Sequence, residues 1–469
     1  MKSFCLLLAL ILLATSLFGQ DFQGTIFGRI TDSSGAVVPD VEITVTNPGT
    51  GATSVTKTNM QGNYRVPFLL PGSYRVLLAH PGFQKIERQN VRVSMATETT
   101  LDIVLQVSTS AETLTVTAAA TALNTTNAEL GQVVERAYIE NVPISLTRNV
   151  LNNISLDAVV DASGGSYTSN GQSGISIAGG GATSGNNEVI VDGVPNTIAR
   201  SGGIIIYVPT SYSVDEMKVH TTMFDAAYGH SNGGAISITT RGGGNEVHGT
   251  LYDFKRWAAL NANSWSNNRL KLRKPPVSYN QVGFLFSGPV YLPKLYNGRN
   301  RTFFSVSYER DDDKRDLTRQ ARVPTDPERA GDFSQTLNSV GTGYVQIYDP
   351  WSTVGTGSAS ARTLFPGNKV PAARINPTGA AVAKTYAQPN QAVALQIGRY
   401  NWASSGLYNT KQRNYTVRVD QIVSARQRLF VRYSHLVRIQ DSDTMMPGVN
   451  SWPGSGNSDI GQDDRYMDN

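Results

Sequence analysis

The chain has a single cysteine, Cys5, close to its start, so everything downstream lacks a thiol. Disulfide stapling and cysteine catalysis are therefore excluded for the rest of this sequence. Long apolar runs are equally scarce. Residues 1–20 hold one, with Lys2 ahead of the apolar run 4–18 and Gly19-Gln20 behind it, which is the arrangement of a secretory signal peptide. That run is too short to span a bilayer as a helix, and no later stretch reaches the roughly 18 apolar residues that a spanning helix needs. Membrane residence would have to come from strands. Charge of either sign is not concentrated: removing Lys2 lowers the formal net charge from +5 to +4, and Arg and Lys are scattered among acids. Nucleic-acid binding gets little support from such a pattern. The five histidines, His80, His220, His230, His248 and His435, lie far apart and none forms H-E-x-x-H; no P-loop or G-x-G-x-x-G fingerprint occurs. Nothing in the residues indicates a metal or cofactor.

What the chain has is glycine, 44 residues of it, and short apolar alternation in place of helical periodicity. The length suggests about three domains. In residues 21–107, Val41, Ile43 and Val45 alternate with Glu42, Thr44 and Thr46; Tyr74, Val76 and Leu78 alternate with Arg75 and Leu77; Leu101, Ile103 and Leu105 alternate with Asp102 and Val104. Period two means one buried face per strand. Turn residues punctuate them at Asp32-Ser33-Ser34-Gly35, Asn47-Pro48-Gly49, Gln61-Gly62-Asn63 and Pro71-Gly72. About seven strands over this length predict a small sandwich. Gly28-Arg29-Ile30-Thr31-Asp32 with Gly35 and Pro39, then Gly62-Asn63-Tyr64, Leu70-Pro71-Gly72-Ser73-Tyr74 and Gly82-Phe83, resemble a carboxypeptidase regulatory-like domain across the whole module. The resemblance implies a prealbumin-like accessory sandwich with no peptidase activity.

Residues 108–118 read as a Ser/Thr/Ala linker that contains Glu112, Thr113, Leu114, Thr115, Val116, Thr117 and Ala118. A short extended run between folded segments is a handle for strand addition, in which main-chain hydrogen bonds supply affinity. An ordinary Thr/Val strand end is the competing reading. The run resembles a TonB box. That resemblance implies a periplasmic contact with TonB and, through it, with the inner-membrane energising complex.

Residues 119–243 are rich in Gly, Ser and Asn, with islands of alternation. Asn187-Glu188-Val189-Ile190-Val191-Asp192-Gly193 is a strand entering an Asp-Gly turn, Val214-Asp215-Glu216-Met217-Lys218-Val219 is another strand, and Tyr228-Gly229 and Gly233-Gly234 precede a strand that ends at Thr240 and Gly243. In order and spacing these islands resemble the plug domain of TonB-dependent receptors. The resemblance implies a mixed α+β plug with substrate-facing apices near residues 166–185 and 196–203. Gly229-His230-Ser231-Asn232-Gly233 also satisfies the G-x-S-x-G pattern of a nucleophile elbow, but a strand follows Ser231 where that geometry requires a helix.

From residue 244 to 469 the runs 279–286, 301–309, 413–423 and 428–435 alternate aromatic or aliphatic with polar residues, the last two reading as a hairpin around Ser424-Ala425-Arg426-Gln427. One lipid face and one lumen face give this pattern in an outer-membrane barrel strand, and a half-buried soluble strand gives it too. Residues 311–401 read as one long polar loop, with Asp311-Asp312-Asp313 as a solvated charge run. Within the loop, Gly331-Asp332-Phe333-Ser334, Phe365-Pro366-Gly367-Asn368-Lys369-Val370-Pro371 and Arg374-Ile375-Asn376-Pro377 resemble the Oar-like subfamily of TonB-dependent receptors.

The expectation is thus a β-dominated outer-membrane protein of a Gram-negative bacterium: signal peptide, periplasmic sandwich, linker with box, plug, and the first strands of a large barrel. It would be a non-enzymatic transporter with no cofactor, contacting TonB, outer-membrane lipid and an external ligand such as an oligosaccharide, peptide or metal chelate. About five barrel strands are visible where plugged transporters close at roughly 22, so the sequence is expected to be the amino-terminal piece of a longer chain. Two alternatives stay open: a secreted or surface β-module adhesin, and a serine hydrolase using Ser231.

Overall fold

A computed structural model describes residues 23–107, 113–116, 130–142, 149–151, 160–161, 176–177, 187–197, 205–222, 234–269, 274, 276–357, 360–391, 400–424, 427–442 and 461–468. The first body is a two-sheet sandwich. Its strands are β1 (Gly24–Asp32), β2 (Glu42–Thr46), β3 (Thr53–Lys57), β4 (Asn63–Leu69), β5 (Gly72–Ala79), β6 (Lys85–Val93), β7 (Glu98–Thr100) and β8 (Ile103–Leu105). One sheet has the order β4-β1-β7 with β8 also on β1, and the other runs β3-β2-β5-β6. The alternating residues of the sequence, Val41, Ile43 and Val45, Tyr74, Val76 and Leu78, and Leu101, Ile103 and Leu105, all enter one core between the sheets, as period two requires. Gly28 is needed because a Cβ there would lie 2.1 Å from the Leu101 carbonyl oxygen. Tyr64 crosses the core and donates its hydroxyl to that same carbonyl at 2.7 Å.

The expected loose linker is not wholly loose. β9 (Thr113–Val116) forms a further strand of the second sheet, parallel to β6, with Lys85 opposite Thr113 and Arg88 opposite Val116. β6 would otherwise be the edge of that sheet, and its unpaired main-chain groups attract a partner strand.

The second body is a five-stranded sheet. β10 (Leu130–Glu135) is followed by the short pair β11 (Val160–Asp161) and β12 (Ser176–Ile177), then β13 (Glu188–Val191), β14 (Val194–Pro195), β15 (Val214–Thr222) and β16 (Ala235–Thr240). The main sheet has the order β10-β15-β16-β13-β14, with β13 and β16 parallel. Val134, Val189, Val191, Met217, Val219, Ile236 and Ile238 form its core together with Ile139 of the helix Arg136–Asn141. β13 turns into β14 through Asp192 (φ 50°) and Gly193 (φ 81°). Two successive positive φ angles make the tight hairpin turn that Asp-Gly favours.

The third body is an antiparallel meander. β17 (His248–Trp257) and β18 (Val277–Pro289) come first, the small hairpin β19 (Tyr291–Leu292) and β20 (Tyr296–Asn297) follows, and then β21 (Thr302–Ala321), β22 (Trp402–Ser424), β23 (Gln427–Ser442) and β24 (Gly461–Asp468). The sheet order is β17-β18-β21-β22-β23-β24, and β22 and β23 turn at Ser424 opposite Gln427, the hairpin expected from sequence. Its faces are inverted relative to a soluble sheet. Val282, Phe284 and Phe286, Tyr415, Val417 and Val419, and Leu429, Val431 and Tyr433 are exposed, whereas Gln281, Ser305, Ser307, Glu309, Asn414, Thr416, Arg418, Ser434 and Arg438 are buried. A half-buried soluble strand does the opposite, so the pattern is that of a wall with lipid outside and polar contents inside. On the outer face Phe284, Tyr308, Tyr415 and His435 occupy one register across four strands, with neighbouring ring centroids 6.0, 4.9 and 6.3 Å apart.

One expectation is corrected here. Residues 311–321 are not loop: β21 runs on to Ala321, paired to Trp402 at the start of β22. Asp311, Asp312 and Asp313 all belong to this ladder: alternation puts Asp311 and Asp313 on the polar face with Glu309, where a lumen accepts charge that an apolar core would reject, and Asp312 on the opposite face, where it pairs with Arg310 at 2.7 Å. The intervening segment has structure of its own. The helix Asp326–Arg329 carries a capping box, and Arg374 grips Asp349 while lying 4.0 Å over the Trp351 ring.

Candidate functional site

The polar face of the meander carries the second body, and the contact centres on Asp192. The β13–β14 turn holds its carboxylate, which accepts from the Thr240 main-chain N–H at 2.8 Å and from the Thr240 hydroxyl at 2.6 Å. From the wall, Arg418 of β22 donates Nη1 to Asp192 at 3.2 Å and to the Thr240 carbonyl at 2.9 Å. Arg432 of β23 brings its Nε to 3.0 Å from the other Asp192 oxygen. All three side chains are at least nine-tenths buried. Arg418 is shared: it also holds Asp420 at 2.8 Å and lies 4.6 Å over the Phe430 ring. Two cations around one central carboxylate, with a second carboxylate behind, balance the charge that burial would otherwise penalise.

Around this centre the inner sheet meets the wall through neutral groups. The Tyr207 and Thr416 hydroxyls are 2.6 Å apart, Asn414 donates to the Val208 carbonyl at 2.9 Å, and Tyr212 stacks on Tyr252 of β17 with centroids 4.3 Å apart. The Tyr252 hydroxyl in turn donates to Glu309 at 2.7 Å. Gly243, where the chain passes from the inner sheet to the wall, lies where a Cβ would come within 2.5 Å of the Phe304 carbonyl oxygen. Only glycine fits such close backbone contact.

On its other side the inner sheet meets the sandwich. The fully buried Glu216 side chain of β15 accepts from the Met95 N–H at 2.6 Å and from Arg92 at 3.3 Å, while Lys218 donates to the Ala96 carbonyl at 2.8 Å. Burial pushes the Glu216 carboxyl above its ordinary pKa, partly countered by the Met95 and Arg92 contacts. The sandwich also touches the end of the wall, where the Asn245 N–H donates to the Gly49 carbonyl at 2.8 Å.

Of the residues singled out in the sequence, Asp192, Gly193, Thr240 and Gly243 meet at or beside this junction. Gly234 leads into β16, its carbonyl accepting from the Glu188 N–H at 3.1 Å. Tyr228, Gly229 and Gly233 lie outside the described residues, as do His230, Ser231 and most of the expected apices at 166–185 and 196–203. Thr113, Leu114, Thr115 and Val116 are on the sandwich edge, away from the Asp192 centre, and Glu112, Thr117 and Ala118 lie outside the described residues. Sequence reading missed Arg418, Arg432, Tyr207 and Glu216. A trace existed for Arg418, a charge between Val417 and Val419 on a strand whose other face is apolar.

Comparison with known proteins bears on two of the three bodies. Residues 239–466 match the family described as outer membrane beta barrel domain, and residues 25–106 match the carboxypeptidase regulatory-like domain. The TonB-dependent transporter Oar of Myxococcus xanthus is 26% identical over 251 residues, which cover 52% of this chain and 22% of that protein. The chain carries the domain plan of a TonB-dependent outer-membrane receptor. It is an outer-membrane protein, and its relative is a transporter, not an enzyme. The chain spans about a fifth of the length of this curated relative. Among solved structures, the siderophore receptor PirA from Pseudomonas aeruginosa aligns with 66% of this chain and 41% of its own at 11% identity and a TM-score of 0.31. The 3-chlorocatechol 1,2-dioxygenase of Rhodococcus opacus aligns with 19% of this chain and 62% of its own at 9% identity and a TM-score of 0.16. Likeness that slight carries no argument about this receptor.

Proposed function

We propose that the chain works as an energised uptake receptor, in which residues 119–243 are a plug inside the barrel, residues 112–118 are the TonB box, and the sandwich at 21–107 lies in the periplasm. An external ligand, an oligosaccharide, peptide or metal chelate, binds the outer loops and the plug apices. Pulling by TonB, driven by its inner-membrane complex, then remodels the plug and lets the ligand through. The observation that carries this reading is the Asp192 centre, where the inner sheet is held to the polar face of a lipid-type wall by ion pairs. A buried contact of this kind is firm at rest. Once one partner is displaced it is costly to leave half-made, which suits a part that is either seated or withdrawn.

The test is Val116→Pro in the full-length receptor. Proline deletes one main-chain donor and fixes φ away from the strand value, whereas Thr115→Ala leaves the ladder intact. The purified periplasmic domain of TonB should capture native receptor and Thr115→Ala equally well and lose Val116→Pro, with surface abundance unchanged. Equal capture of all three would mean that this run is a linker only, and failure to capture native receptor would favour the adhesin alternative.

A further inference from the structure

The strand-addition reading of residues 113–116 meets an observation that the transport scheme does not use: this strand already has a partner. β9 pairs in parallel with β6, in the register Lys85 with Thr113, Ile86 with Leu114, Glu87 with Thr115 and Arg88 with Val116. Without it β6 is the last strand of the sheet β3-β2-β5-β6, with a row of open main-chain groups. We propose that the β6 edge is the resting-state binding site of the box strand, and that TonB takes the strand by displacing it from the sandwich. The proposal rests on the reading of residues 112–118 as the box.

Two features favour exchange over a TonB strand merely added outside β9. Recognition on both sides is by main chain, so the same kind of ladder serves either partner. The sandwich is also fixed to parts that a pull must move past. Gly49 bonds Asn245 at the end of the wall, and the Arg92–Ala96 segment, which ends β6 and follows it, holds Glu216 and Lys218 of the inner sheet. A box still zipped to β6 is tied to the wall, and a pull on it cannot draw the plug away from that wall.

The test uses the scarcity of cysteine. Cys5 is the one cysteine of this sequence and lies in the expected signal peptide, so Glu87→Cys with Thr115→Cys, in a full-length receptor whose cysteines beyond residue 469 are replaced by serine, gives a defined thiol pair. Adjacent strands lie about 4.8 Å apart, inside the roughly 4.4–6.8 Å between Cα atoms that a disulfide spans. In full-length resting receptor the pair should oxidise readily, and added TonB periplasmic domain should slow that oxidation. The oxidised receptor should be captured by TonB at least about tenfold more weakly than the same protein after reduction, the worth of one to two main-chain hydrogen bonds. Each single-cysteine variant should bind like native receptor. Failure of the disulfide to form would remove the docked strand and the proposal with it. Ready formation with unchanged capture would also overturn the proposal, showing that TonB pairs without displacing β9. Val116→Pro separates the two levels: if it abolishes capture while the disulfide does not, strand exchange falls and the box stands, whereas capture of Val116→Pro would remove the box reading itself.

Discussion

Asp192→Asn keeps the size of the side chain and an oxygen for the Thr240 N–H but removes the charge between two arginines that are 3% and 5% exposed. Breaking one member of a buried ion pair typically costs about 3–5 kcal/mol, because the surviving charge stays buried without compensation. Here Arg418 keeps Asp420 at 2.8 Å and Arg432 keeps a bond to the Ser434 hydroxyl at 3.0 Å, so the lower end applies, about 3 kcal/mol. No cysteine follows Cys5 in this sequence, so a fluorophore on Tyr138→Cys, on the helix packed against the inner sheet, would report that body alone once Cys5 and any cysteine beyond residue 469 are replaced by serine. With urea slopes of about 1–3 kcal/mol/M, the loss moves the unfolding midpoint down by about 1–3 M.

The double-mutant cycle sharpens the test. Arg418→Met alone removes one of the wall's two arginines and leaves Asp192 with Arg432 of β23 and with Thr240. If Asp192 and Arg418 act on each other, the double variant should lose less than the two single losses added, by about 2 kcal/mol. Additivity within about 0.5 kcal/mol, or an unmoved midpoint for Asp192→Asn, would refute the claim that this cluster seats the inner sheet.

The sandwich, with a closed core and its own turns, should unfold cooperatively when residues 21–107 are expressed alone; a melt without a transition would contradict this. In that module Gly28→Ala should cost about 3 kcal/mol, the upper part of the range for forced overpacking, since its Cβ would press on the Leu101 carbonyl. At the sandwich junction, Glu216→Ala should weaken docking by about 1–3 kcal/mol by orphaning the buried Met95 N–H, which a fall in thermal stability of the intact receptor would register. The Glu216 carboxyl is raised above 4.5, so between that pH and its raised value the folded state holds a proton that the unfolded state releases. Stability from this group therefore declines as pH climbs through that window, and Glu216→Gln should flatten the decline in melts taken across pH.

How much of this could be read from the chain depends on whether side chains or the main chain carry the information. The sandwich was legible because each buried strand face is written every second residue: Ile43, Val45, Val76, Leu78, Ile103 and Leu105 enter the core as their alternation demands. The Asp192-Gly193 turn was legible because two positive φ angles leave few residue choices. The length of β21 was not, since above the apolar band a barrel strand needs no alternation and its ladder to β22 is made by main chain alone. Arg418 and Arg432 also escaped. They stand 226 and 240 positions after Asp192, and no local pattern announces a partner so distant.

The docked strand Thr113–Val116 is the sharpest case of the same limit. Its residues say only that they are at home in a strand, and a strand of Thr, Leu and Val can be added to any open edge. The sequence therefore made the segment available without naming the acceptor. The fold names one, because the order β3-β2-β5-β6 leaves β6 open about 20 residues upstream of the run, and closing a loop that short costs little entropy. An edge this close is at high effective concentration for the strand, so any outside partner must outbid it before it can pull. It follows that the length of the linker, not only the box sequence, sets how readily the strand is released. Inserting a flexible stretch of Gly and Ser between Val107 and Thr113 should lower that effective concentration and strengthen capture by TonB, with box and sandwich both unchanged. If capture by the native and lengthened receptors is equal, the β6 edge does not compete for the strand.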